Sequence, residues 1–127
     1  MKYGAIDVGL KRIGVAVSNG KVVFPQNAIF RKNRNQAARD VDVFLKEWEV
    51  EKLIVGLPKG GASEEEMKRR IEHFVSLLDF EGEVCYVDEY GTSAEAKERM
   101  QGVTRQKRDG KVDSIAAQII LERYLAS

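Results

Sequence analysis

The chain has 127 residues, a length that suits one domain spanning 1–127, and a domain of that size buries roughly two-thirds of the surface its unfolded form exposes. With 43% apolar and 32% charged residues and two prolines, the composition excludes a disordered or fibrous protein. The 21 basic residues nearly match the 20 acidic ones, so the net charge of +1 does not by itself announce a polyanionic partner. No run approaches the ~18 apolar residues that argue for a membrane span, and Met1-Lys2-Tyr3 leads into a strand without a signal-peptide pattern, so a cytoplasmic location is expected.

Three strands open the chain: Lys2 to Val8, Arg12 to Ser18 and Lys21 to Phe30. Ile13, Val15 and Val17 alternate with Gly14, Ala16 and Ser18, the period of a half-buried antiparallel strand. Asn19-Gly20 reads as a two-residue hairpin turn, and Pro25 places the third strand at a sheet edge. From Ala37 the period lengthens: Ala37, Ala38, Val41, Phe44, Leu45 and Trp48 form the inner stripe of a helix ending near Glu49. The apolar run Leu53 to Leu57 suits a strand covered on both faces, stopped at Pro58-Lys59-Gly60-Gly61. Ser63 and Glu66 predict a capping box for a helix whose apolar side is Met67, Ile71, Phe74, Val75 and Leu78. Val84 to Asp88 is the fifth strand, and within it the single cysteine, Cys85, reads as an inert buried thiol. Thr92 with Glu95 predicts another capped helix, stopped at Gly102. A last helix runs from about Lys111 to Leu125, with Val112, Ile115, Ala116, Ile119 and Ile120 inside. The order βββαβαβαα predicts a mixed α/β sheet, antiparallel at first and then extended through right-handed helical crossovers.

Acidic residues recur where such a sheet holds them at a common edge. Asp7 ends the first apolar run, Asp88 and Glu89 end the fifth strand, and Asp113 opens the last helix. Hard oxygen ligands of this kind suit Mg²⁺ or Mn²⁺, and beside basic loops they are what phosphodiester hydrolysis needs. Each acid also has a plainer reading. Asp7 can form the turn ahead of Gly9, and Asp113 can simply complement a helix dipole. Yet Ala116, Ala117, Ile120 and Tyr124 put Asp113 on or beside a packed face, where an ionised acid needs a partner. Strand alternation allows only one of Asp88 and Glu89 to face the cleft. Basic residues gather at Lys11 and Arg12, at Arg31, Lys32 and Arg34, and at Arg105, Lys107, Arg108 and Lys111. Taken with the acids, they read as a phosphate-facing rim, and taken alone as solvated surface. Gly56 to Gly61 lacks the P-loop pattern and leads into Glu64-Glu65-Glu66, so it reads as a structural turn, and His73 as a helix-surface residue.

Asp7-Val-Gly-Leu-Lys-Arg-Ile-Gly14 resembles the opening strand and turn of the YqgF/RuvX family of ribonuclease H-like nucleases. The likeness continues through Ile54-Val-Gly-Leu-Pro58, Val87-Asp-Glu89 with Thr92 and Ser93, and Asp113-Ser-Ile-Ala-Ala117 with Ile120 and Leu121, nearly the whole chain in order. The resemblance implies a ribonuclease H-like five-stranded sheet of order 3-2-1-4-5 with strand 2 antiparallel. It also implies a divalent-metal-dependent nuclease in which Asp7, Glu89 and Asp113 hold Mg²⁺ or Mn²⁺ and Asp88 supports them. Lys11, Arg12, Arg105, Lys107, Arg108 and Lys111 are then expected to contact nucleic acid. The implied role is 5′-end maturation of pre-16S rRNA, possible at a ribosomal particle. The alternatives are resolution of four-way Holliday junction DNA, and a non-catalytic nucleic-acid-binding or ribosome-assembly factor. For RNA trimming a monomer suffices, whereas junction resolution calls for a symmetric dimer, so the chain is expected as a monomer or a dimer. An actin-like sugar kinase or ATPase fits the Asp7-x-Gly9 turn less well, because that fold needs two such domains. The chain departs from the family pattern at Tyr90-Gly91, where Arg usually follows the acidic pair, and in a shorter loop after Pro58.

Overall fold

The computed structural model describes residues 1–58, 63–88 and 114–127. Strands Tyr3–Val8 (β1), Arg12–Ser18 (β2), Val23–Phe30 (β3), Lys52–Leu57 (β4) and Glu83–Asp88 (β5) form one sheet in the order β3-β2-β1-β4-β5. β2 runs antiparallel to both β1 and β3, whereas β1, β4 and β5 are mutually parallel. The helices among the described residues are Arg34–Glu47 (α1), Glu64–Ser76 (α2) and Ile115–Ala126 (α3). None is long and apolar enough to cross a membrane.

Strand alternation divides the core into two layers. Ile6, Val8, Val15, Leu53 and Val55 meet Val41, Phe44 and Leu45 of α1 and Ile71 and Phe74 of α2. On the other face, Ala5, Ala16 and Ile54 meet Ala117, Ile120 and Leu121 of α3. β1 and β4 are thus covered on both sides, which explains their near-continuous apolar runs. Pro25 lies in edge strand β3, where a missing N–H costs no ladder bond to an outer neighbour. Far from the β1 carboxyl end, Lys52 Nζ donates to Tyr124 Oη at 2.6 Å and ties α3 to β4.

Several local expectations are corrected. The β2–β3 connection spans Asn19 to Val22, because Ser18 pairs with Val23. Asn19 Oδ1 accepts the N–H groups of Lys21 and Val22, a wider side-chain-closed turn in which Gly20 takes φ 102°. α1 begins at Arg34, ahead of the apolar stripe, because Asn33 and Gln36 form a reciprocal capping box. Trp48, expected inside, is 43% exposed at the end of α1. There Glu49 adopts φ 52°, its N–H donates to Lys46 O, and the Val50 N–H donates to Leu45 O at 2.9 Å. This Schellman closure turns the chain so that Val50, not Trp48, packs against the core. Ser63 makes no side-chain cap bond, since its φ of −102° and ψ of 16° are not the extended geometry an N-cap uses. Cys85 is half-buried rather than fully enclosed.

Candidate functional site

The parallel strands β1, β4 and β5 end at one edge of the sheet, the place where open α/β sheets bind ligands. Asp7 is the penultimate residue of β1 and pairs with Gly14 of β2. It shares the face of Ala5, the side covered by α3, and is half-buried. No hydrogen bond or ion pair among the described residues engages its carboxylate. A half-buried, uncommitted carboxylate is a donor suited to a hard divalent cation.

The turn after Asp7 is held from both sides. The Gly9 N–H donates to Arg12 O at 3.0 Å, and a Cβ at Gly9 would lie 2.5 Å from that oxygen, so the close approach requires glycine. The Arg31 N–H donates to Lys11 O, and its guanidinium donates to Gly9 O, both at 2.9 Å. The exposed Lys11 and Arg12 are thereby carried one turn beyond Asp7, with the Arg12 guanidinium 5.1 Å from the Phe30 ring centroid.

The last helix reaches this same region through Ser114. Its side chain is wholly buried, and Oγ accepts the Val15 N–H at 3.0 Å, where the β2–β3 register shifts between Ile13 and Val15. The start of α3 is therefore fastened one residue from Gly14, the partner of Asp7. Reading the chain for charged ligands passed over this serine. Its only sequence signal is a hydroxyl between Asp113 and the apolar stripe.

Asp88 falls elsewhere. It pairs with Leu57, is exposed, and by alternation shares the face of Val84 and Tyr86, which is the α1–α2 side. Its side chain therefore does not join Asp7. Glu89, Asp113, Arg105, Lys107, Arg108 and Lys111 lie outside the described residues, as do Tyr90-Gly91, the loop from Lys59 and the predicted Thr92 to Gly102 helix. Among the described residues no group of three His, Cys, Asp or Glu side chains gathers.

Three comparisons agree with this architecture. The family model described as RuvX, Holliday junction resolvase, matches residues 1–127. A relative from Sulfurovum sp. is 68% identical over 99% of both chains, and one from Helicobacter hepaticus is 46% identical over 97% of this chain and 94% of its own. Both carry the provisional name pre-16S rRNA nuclease. Among solved structures, T. thermophilus RuvC in complex with a Holliday junction substrate aligns with TM-score 0.61 at 13% identity, covering 99% of this chain and 95% of that one. The fowlpox virus Holliday junction resolvase aligns with TM-score 0.56 at 15% identity over 99% of each chain. At those identities the structural matches establish a shared ribonuclease H-like fold. With a family model covering every residue and relatives this similar over their full lengths, the chain belongs to the RuvX family.

Proposed function

We propose that this chain is a metal-dependent nuclease that hydrolyses phosphodiester bonds during 5′-end maturation of pre-16S rRNA, acting in the cytoplasm as a single domain. The observation that carries the reading is Asp7, a half-buried carboxylate without a partner among the described residues, at the carboxyl edge of the central strand. Family membership and the names of the relatives support the reaction and the substrate.

In this reading Asp7, Glu89 and Asp113 hold Mg²⁺ or Mn²⁺. Asp88 points to the other face, which favours Glu89 as the acid of the pair that joins Asp7. Asp113 directly precedes Ser114, whose buried hydroxyl fixes the start of α3 beside the Asp7–Gly14 pair. When bound, the metal supplies a water of lowered pKa and steadies the leaving 3′ oxygen. Lys11 and Arg12 approach the phosphates next to the scissile bond, and Arg105, Lys107, Arg108 and Lys111 contact the strand further along. Such contacts position a backbone and read no bases.

A second reading, cleavage of four-way DNA, is favoured by the family description and by the fold shared with junction resolvases. The discriminating experiment offers the protein, with Mn²⁺, a precursor fragment spanning the 16S 5′ end and a four-way DNA junction, while its mass in solution is measured. Cleavage of the RNA by a monomer is expected. Paired symmetric cuts in the junction by a dimer would transfer the assignment to DNA.

A further inference from the structure

Behind the β1–β2 turn, on the sheet face opposite Asp7, lies a cavity of about 330 Å³ lined by Val8, Leu10, Arg31, Arg34, Met67, Arg70 and Ile71. Three separate elements bring a guanidinium to it: the end of β3, the first turn of α1, and α2. Arg31 is fixed in place. It donates to Gly9 O and lies 5.6 Å from the centroid of the buried Phe74 ring. The Arg34 guanidinium meets the His73 ring at 3.2 Å. Neither Arg31 nor Arg34 has an ion-pair partner among the described residues, and the one acid paired nearby, Glu66, is taken by Arg70. Burial, and then the charges of Arg34 and Arg70, hold the Arg31 guanidinium below its ordinary pKa. With Glu66 the one acid paired here among the described residues, three guanidinium groups around a hollow leave an excess of positive charge that suits an anion, and planar guanidinium forks match phosphate oxygens bidentately.

We infer that the Arg31–Arg34–Arg70 cavity is a phosphodiester-binding subsite that receives the nucleic-acid strand after it crosses the β1–β2 turn from the Asp7 side. The inference rests on the nuclease reading for the identity of the anion. Placement supports a strand over a free phosphate. Val8 lines the cavity and is adjacent in sequence to Asp7, so both positions lie at the same sheet edge with only the Gly9 to Lys11 turn beyond them. The exposed Leu10 on that turn offers an apolar surface between the two phosphate positions, against which a sugar or base can rest.

The test is single-stranded RNA binding measured by fluorescence anisotropy across a salt series, without metal, so that the readout does not depend on cleavage. The variants are the double change Arg34→Gln with Arg70→Gln and, as a control, Arg34→Lys with Arg70→Lys. Arg34 and Arg70 are both exposed, and their replacement leaves the Arg31–Gly9 contact in place. Loss of two phosphate contacts should lower the slope of log affinity against log salt by about 1.4, from about 0.7 per contact on a single strand, with the lysine pair keeping the wild-type slope. Inorganic phosphate at the same ionic strength should compete only weakly, whereas a full reversal of binding by phosphate would assign the cavity to the free ion. A wild-type slope and affinity in the glutamine pair would overturn the subsite. If the wild type binds RNA with the predicted dependence but fails to cut a pre-16S 5′ fragment once Mn²⁺ is added, the nuclease reading fails and the subsite stands.

Discussion

At the scale of single residues, the site depends on a few side chains whose surroundings matter more than their type. Asp7 was legible because it ends an apolar run, but its half-buried position on the α3 face emerged only once strand direction and alternation were fixed. The same alternation separates Asp88 from Asp7, which no reading of an adjacent acidic pair can decide without knowing the face of β5. Ser114 was invisible in the sequence because a hydroxyl declares its role only through its partner, here the Val15 N–H some 99 positions away in the chain. Ser114→Ala leaves that buried N–H without an acceptor and should lower unfolding free energy by about 1–3 kcal/mol, measured as a reduced urea midpoint. A variant as stable as wild type would show that the bond holds nothing.

At the scale of elements, the apolar periods located all three described helices and all five strands, and the errors gathered at their ends. Ends are set by local hydrogen bonding that hydrophobic periodicity does not encode. α1 starts three residues ahead of its apolar stripe because Gln36 accepts the N–H groups of Lys32 and Asn33 while Asn33 accepts the Gln36 N–H. Its far end is decided by Glu49 in the left-handed region, which a glycine would have advertised and a glutamate does not. Asn33→Ala should cost about 1 kcal/mol of stability with an unchanged denaturant slope, since it removes one cap and exposes no new core. An unchanged midpoint would mean that Gln36, which also donates to Phe30 O, suffices alone.

At the scale of the whole molecule, element order and the rarity of left-handed crossovers predict a mixed sheet, antiparallel at first and then extended through helices, whereas the order 3-2-1-4-5 is implied by the family resemblance; the structure shows both. Two layers, α1 and α2 on one face and α3 on the other, cover the sheet, and the carboxyl end of β1 lies at the edge between them. Metal binding there should couple to global stability, because a ligand held by the native state alone stabilises it by mass action. Mn²⁺ at about a hundred times its dissociation constant should contribute about 2.7 kcal/mol, seen as a raised melting temperature in the wild type and none in Asp7→Asn. An equal rise in both would place the ion away from Asp7.

The most direct test of the central claim is Mn²⁺-dependent cleavage of a pre-16S 5′ fragment by the wild type and by Asp7→Asn, with RNA binding by each measured alongside. The account predicts that the wild type cuts, that the variant does not, and that both bind with nearly equal affinity. Equal cleavage by the two proteins would contradict it.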